Sequence, residues 1–199
     1  MSLDVLQEIG FLLPDSLIFG SFLVGITTLS LQHVIFFFSL LESLVALKGL
    51  NTIFAHILGK ETPKCKSKFK ALIYEDLFNS PSANNVSYGV YILSIAAAYF
   101  LQSLYAIQNE LEVLHPSHTN VYSVIILIAI PILYSLFRLF FGCDSLGSIL
   151  MALLFGFFLG TLIQYQNVQI FGRDSINFLG IPLLRNMAAN GQPLYICTK

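Results

Sequence analysis

Charge is what this chain has least of. Asp, Glu, Lys and Arg make up 11% of its 199 residues, while 56% are apolar. A soluble domain carries about a quarter charged residues, so much of this surface calls for lipid. No basic stripe is interleaved with stacking aromatics, and the 18 Phe fall mainly in apolar runs, so no nucleic-acid partner is expected. The opening MSLDVLQEIG has no positively charged stretch, which argues against a cleavable signal peptide and for insertion through an internal segment. Cysteine is scarce as well. Cys65, Cys143 and Cys197 are far apart, odd in number and without a CxxC pair, so they read as free thiols. No cluster of ligands suggests a metal, and no cofactor is expected.

Long apolar stretches are what the chain does have. A hydrocarbon core of ~30 Å takes about 20 apolar residues to cross. Tyr88 to Ile107, Val121 to Phe137 and Ser145 to Gln164 meet that length. Leu17 to Leu58 is longer, and as one straight helix it would run roughly 60 Å at 1.5 Å per residue. It is interrupted by Gly20, Gly25, Gln32, His33, Glu42 and Lys48. The reading is one span over about Leu29 to Ala46 that continues towards Leu58. Residues 1–28 then form an interfacial or re-entrant segment, with Pro14 to Thr28 as a short additional span in the alternative. Pro131, inside the Val121 to Phe137 span, predicts a kink. The expected fold is thus an all-α bundle of about four transmembrane helices over residues 29–165, with an extramembrane tail over 166–199. Turn residues in that tail suggest a small hairpin too short for a core of its own.

Loop charges orient the bundle. Five Lys and one Glu lie between Lys60 and Lys70, whereas the loop NELEVLHPSH carries Glu110 and Glu112. By the positive-inside rule the Lys-rich loop and the Arg138 turn face the cytosol, with the acidic loop and the C-terminus opposite. Cys197 is then separated by the bilayer from the other two cysteines. In the last span Ser148, Ala152, Gly156 and Gly160 recur every four residues. Such a stripe lets another helix come close, either within the bundle or in a homo-oligomer.

Three segments carry a resemblance. LNTIFAHILGKETP runs from Leu50 to Pro63, PSAN from Pro81 to Asn84, and RLFFGCDSLGS from Arg138 to Ser148. In order and spacing they resemble the type-2 phosphatidic acid phosphatase superfamily, over roughly Leu29 to Gln164. The family's two usual leading spans are missing. Members of that family hold a phosphate with Lys and Arg, attack it with a His oriented by an Asp, and protonate the leaving group from a second His. On this resemblance Ala55 stands at the Lys position and Thr62, before Pro63, at the Arg position. Pro81 and Ser82 are kept, while Ala83 replaces Gly and Asn84 the acid His. Arg138 and Gly142 are kept, Asp144 replaces the nucleophile and Ser148 its orienting Asp.

The losses are chemically severe. A phosphate dianion needs several fixed cationic donors, and Arg138, with Lys60 as a stand-in, is what remains. Asn84 cannot donate a proton to a leaving group at neutral pH. Asp144 brings a negative charge to a negative substrate; an aspartyl-phosphate route through it would ordinarily need a metal. Two structural roles suit Asp144 better: capping a helix that starts at Ser145, and pairing with Arg138 across the Gly142 turn. No catalytic residue is therefore assigned.

Other polar residues have plainer readings. Glu42, deep in an apolar helix, needs a partner on another helix or a proton. Gln32 and His33 satisfy neighbouring groups or mark a membrane boundary. His115 and His118 are too few for a metal site. Asn85-Val86-Ser87 is a glycosylation sequon at a helix start, expected to be unused. The Lys-rich loop either attracts anionic headgroups or serves only as a topology signal. Function is expected to be that of a non-catalytic structural or assembly component among membrane lipids and other membrane, capsid or complex proteins. The alternatives are a pseudoenzyme that binds a lipid phosphate at Arg138 and Lys60, and a residual lipid phosphatase. The tail wording LGIPLL and PLYIC is similar to that of membrane proteins of large DNA viruses, which implies a virion inner membrane; an endomembrane or organellar complex is the rival setting.

Overall fold

A computed structural model describes residues 3–59, 65, 85–108 and 119–178. Among the described residues there are five α-helices: α1 (Leu3–Thr27), α2 (Leu31–Leu58), α3 (Tyr88–Ala106), α4 (Thr119–Phe140) and α5 (Leu146–Phe171), followed by a 3-10 turn at Arg173–Ile176. No strand occurs among the described residues. Each of the five helices contains a segment long and apolar enough to cross a membrane.

From Leu3 onward the N-terminal segment is regular: α1 is one continuous helix through Pro14. Its apolar segment Glu8–Thr27 has the length of a full span. Proline costs an internal hydrogen bond, but Gly10, one turn earlier, leaves space that the Phe137 ring of α4 occupies. The long apolar region breaks at Thr28–Ser30. There Thr27 and Thr28 turn their hydroxyls back onto the Val24 carbonyl, and Leu29 takes a positive φ of 53°. Ser30 then opens α2, with its hydroxyl bonded to Gln32 and His33 at 2.8 Å each. Those two residues therefore satisfy the turn between the first two helices.

α3 is the axis of the molecule. Every residue from Gly89 to Tyr99 is buried, and the most extensive helix pair is α3 with α5. Glycine makes that approach. A Cβ on Gly156 would lie 2.6 Å from the Ser94 Cβ and 2.9 Å from the Tyr91 carbonyl; on Gly160 it would lie 2.6 Å from the Ile95 carbonyl. Ser148, Ala152, Gly156 and Gly160 are all buried. The stripe is thus filled within the bundle by α3.

α5 also outruns its expected end at Gln164. It continues to Phe171, and Asn167 shows why: its amide donates to the Ser39 hydroxyl at 2.7 Å and the Tyr99 hydroxyl at 2.9 Å. The start of the expected tail is therefore helix and core. Ile176 is buried, and Phe178 packs edge-on against Phe36 and Phe100. Arg173 donates to the Ala106 carbonyl at the same end. α4 runs through Pro131 to Phe140, with the Ser135 hydroxyl returning to the Pro131 carbonyl at 2.7 Å. The hairpin expected in the tail lies outside the described residues, as does Cys197.

Candidate functional site

All five described helices contribute residues to the end of the bundle where α4 turns into α5. Arg138 is the last basic residue of α4. The chain leaves the helix through Phe141 and Gly142, whose φ of 63° is one that glycine adopts without penalty. It returns at Cys143, whose amide donates to the Arg138 carbonyl at 3.0 Å. This tight reversal brings Asp144 back over Arg138. The guanidinium grips the carboxylate with both arms: Nε donates to Oδ2 at 2.7 Å and Nη2 to Oδ1 at 3.0 Å. The Asp144 side chain is fully covered and that of Arg138 nearly so. The ion pair expected from the turn is therefore formed, and in the fork geometry that makes such pairs strong.

The capping role is not taken by Asp144. Ser145 is the N-cap of α5, its hydroxyl accepting from the Ser148 amide at 3.2 Å. Asp144 is turned inward instead, because a buried guanidinium and a buried hydroxyl both claim its oxygens. The hydroxyl belongs to Ser87, which donates to Oδ2 at 2.6 Å. The Ser87 amide in turn donates to the Ser148 carbonyl at 3.3 Å. The start of α3 is thus stitched to the start of α5 by both backbone and side chain.

The rest of this end is similarly satisfied. Phe11 of α1 lays its ring 4.9 Å from the Arg138 guanidinium carbon, a cation–π contact. Tyr134, one turn before Arg138, is buried beside Gly89. Tyr88 donates its hydroxyl to Asp15, which is buried in α1. Asn51 of α2 accepts from the Val86 amide at 2.9 Å, and Asn85 donates to the Gly59 carbonyl at 2.8 Å. With Asn85 buried and Ser87 committed to Asp144, the sequon is closed to modification in the folded chain.

Cysteine requires a correction. Cys65 and Cys143 are not free thiols: they form a disulfide with Cα atoms 4.9 Å apart. The Gly142 reversal turns Cys143 towards Cys65, and the bond ties Cys65 to the Arg138 turn.

Of the positions singled out by motif, the structure joins Arg138, Asp144 and the backbone of Ser148. Ala55 is on α2, half-buried and without chemistry. Lys60, Thr62, Pro63, Pro81, Ser82, Ala83 and Asn84 lie outside the described residues. Tyr134, Asp15 and Tyr88 have no site role in the sequence reading, and Ser87 enters it only as part of the glycosylation sequon. Asp15, an acid within an apolar run, was the one available signal. No group of three or more His, Cys, Asp or Glu side chains suited to a metal occurs among the described residues. No family model, curated protein or solved structure matches the chain.

Proposed function

We propose that the chain is an integral membrane protein that acts as a non-catalytic structural or assembly component, with the remnant of a lipid-phosphatase site turned into an internal clasp. Five long apolar helices support the membrane reading. The observation that carries the non-catalytic reading is the bidentate Arg138–Asp144 pair. The guanidinium arms that would face a phosphate are spent on a carboxylate of the same chain. That carboxylate, in turn, is committed to Arg138 and Ser87 rather than aimed at a substrate. Such a clasp holds three helix ends together without exposing charge to lipid.

A pseudoenzyme that binds a lipid phosphate would have to displace Asp144 from Arg138 and leave a buried acid behind. Assaying lipid phosphorus in detergent-purified wild type and in Arg138→Ala separates the two readings. The clasp predicts equal, background phosphorus in both. Phosphorus bound to the wild type and lost in the variant would favour the phosphate-binding reading. A virion inner membrane or an organellar membrane complex is the setting proposed for such a component. Mass spectrometry of what copurifies in mild detergent tests that setting: capsid or complex proteins are the expected companions.

The disulfide bears on orientation. The lysines after α2 place this end in the cytosol by the positive-inside rule, but disulfides form and persist in oxidising compartments. We infer that the bonded end faces the oxidising side, because a reducing compartment would open the bond whatever the loop charge.

A further inference from the structure

The outward face of α2 is unlike the outward faces of its neighbours. On α5 the exposed side chains include Leu146, Leu150, Leu154, Phe158 and Leu162; on α4 they are mostly Ile, Val and Leu. These are lipid-facing compositions. On α2 Leu31, Ile53 and Ile57 are exposed as well, but one stripe on that face reads Phe38, Glu42, Val45, Gly49, Thr52 and His56, alternating by four and three residues. A stripe with that spacing is the seam along which two helices pack at a shallow left-handed angle. Its polar and small members are what lipid disfavours and a helix partner uses.

Glu42 is the decisive member. It makes no hydrogen bond or ion pair with any described residue. It lies roughly 16 Å from the start of α2 and 24 Å from its end, at 1.5 Å per residue. The next residue, Ser43, accepts through its carbonyl from the Tyr91 hydroxyl of the central helix at 3.0 Å, and Glu42 falls well inside the apolar segment Leu31–Ile57. Acids at such depth pair with other groups rather than face hydrocarbon. About two turns on, Gly49 opens a gap in which an added Cβ would meet nothing, so a second backbone can come close.

We propose that this face of α2 docks one transmembrane helix of another protein, bearing a Lys or Arg at the depth of Glu42. Charge complementarity selects that occupant over a second copy of the chain, which in a parallel two-fold pair would set Glu42 against Glu42. The inference rests on the membrane reading above.

The test is energy transfer between labelled full-length protein in phosphatidylcholine vesicles and a synthetic leucine-rich spanning peptide. One peptide carries a single central Lys and a control carries none. The Lys peptide should associate about tenfold more strongly than the control. That preference should vanish in Glu42→Gln, which preserves size, and persist in Leu154→Gln on the lipid face of α5. Equal association of the two peptides, or a preference that survives Glu42→Gln, would overturn the proposal. So would Glu42-dependent transfer between two copies of the protein itself. Retention on the vesicles after alkaline carbonate washing is read in parallel. Loss there would negate the membrane reading, whereas retention without Lys preference negates the docking face alone.

Discussion

Arg138 and Asp144 are six residues apart in sequence, and at the residue scale their pairing could be read from the chain. A glycine between them permits the reversal, and two opposite charges at the edge of apolar runs have few other places to go. The third member could not be read. Ser87 reaches Asp144 from another helix, 57 residues away in sequence, and local sequence gives no sign of it. The same holds for Asp15 and Tyr88. Removing one side of a buried pair strands the other charge and costs about 3–5 kcal/mol, while replacing both by apolar groups of similar volume is often neutral. Arg138→Ala or Asp144→Ala alone should therefore destabilise the detergent-solubilised protein by about that amount in denaturant titration. Arg138→Met combined with Asp144→Leu should recover most of the loss. If the double variant lost as much as the two single variants summed, the pair would not be acting as a unit.

Helices come next in scale, and the seam between α3 and α5 is where the fold concentrates its packing. Its glycines were legible because small residues at every fourth position leave a flat face. The face they meet was less so: Ser94 and Ala98 of α3 are small and four apart, but Ala96 and Ala97 beside them leave its direction unmarked in sequence. Gly156→Ala and Gly160→Ala should each destabilise by about 1–3 kcal/mol through overpacking. Gly20→Ala, where an added Cβ meets nothing, should not. Thermal unfolding followed by helical circular dichroism distinguishes them, and equal effects at all three sites would dismiss the seam. Two element boundaries were hidden for physical reasons. In α1, Pro14 and Asp15 imitate an interruption, but Phe137 fills the space at Gly10 and Tyr88 satisfies the acid. In α5, polar Asn167 imitates an ending, but its amide is held by Ser39 and Tyr99.

For the whole molecule, sequence led to a helical bundle with the Lys-rich connection and the Arg138 turn at one end. The Cys65–Cys143 bond places these two together. Sequence could not anticipate the bond itself, because its two cysteines are 78 residues apart and meet only once the reversal at Gly142 is made. Alkylation before lysis, followed by non-reducing electrophoresis, should leave Cys65 and Cys143 unmodified and give a mobility that changes on reduction. Cys65→Ser should abolish that change. Full alkylation of both thiols in untreated membranes would instead restore the cytosolic assignment from loop charge.

At this scale the described residues form a bundle of apolar helices whose Arg138–Asp144 pair is closed upon itself. The most direct test is phosphate release from phosphatidate and from isoprenyl diphosphate by the purified wild type, with Asp144→Asn alongside. A clasp predicts no release above the detergent blank from either protein. Steady release by the wild type, abolished in Asp144→Asn, would contradict it and make Asp144 a nucleophile.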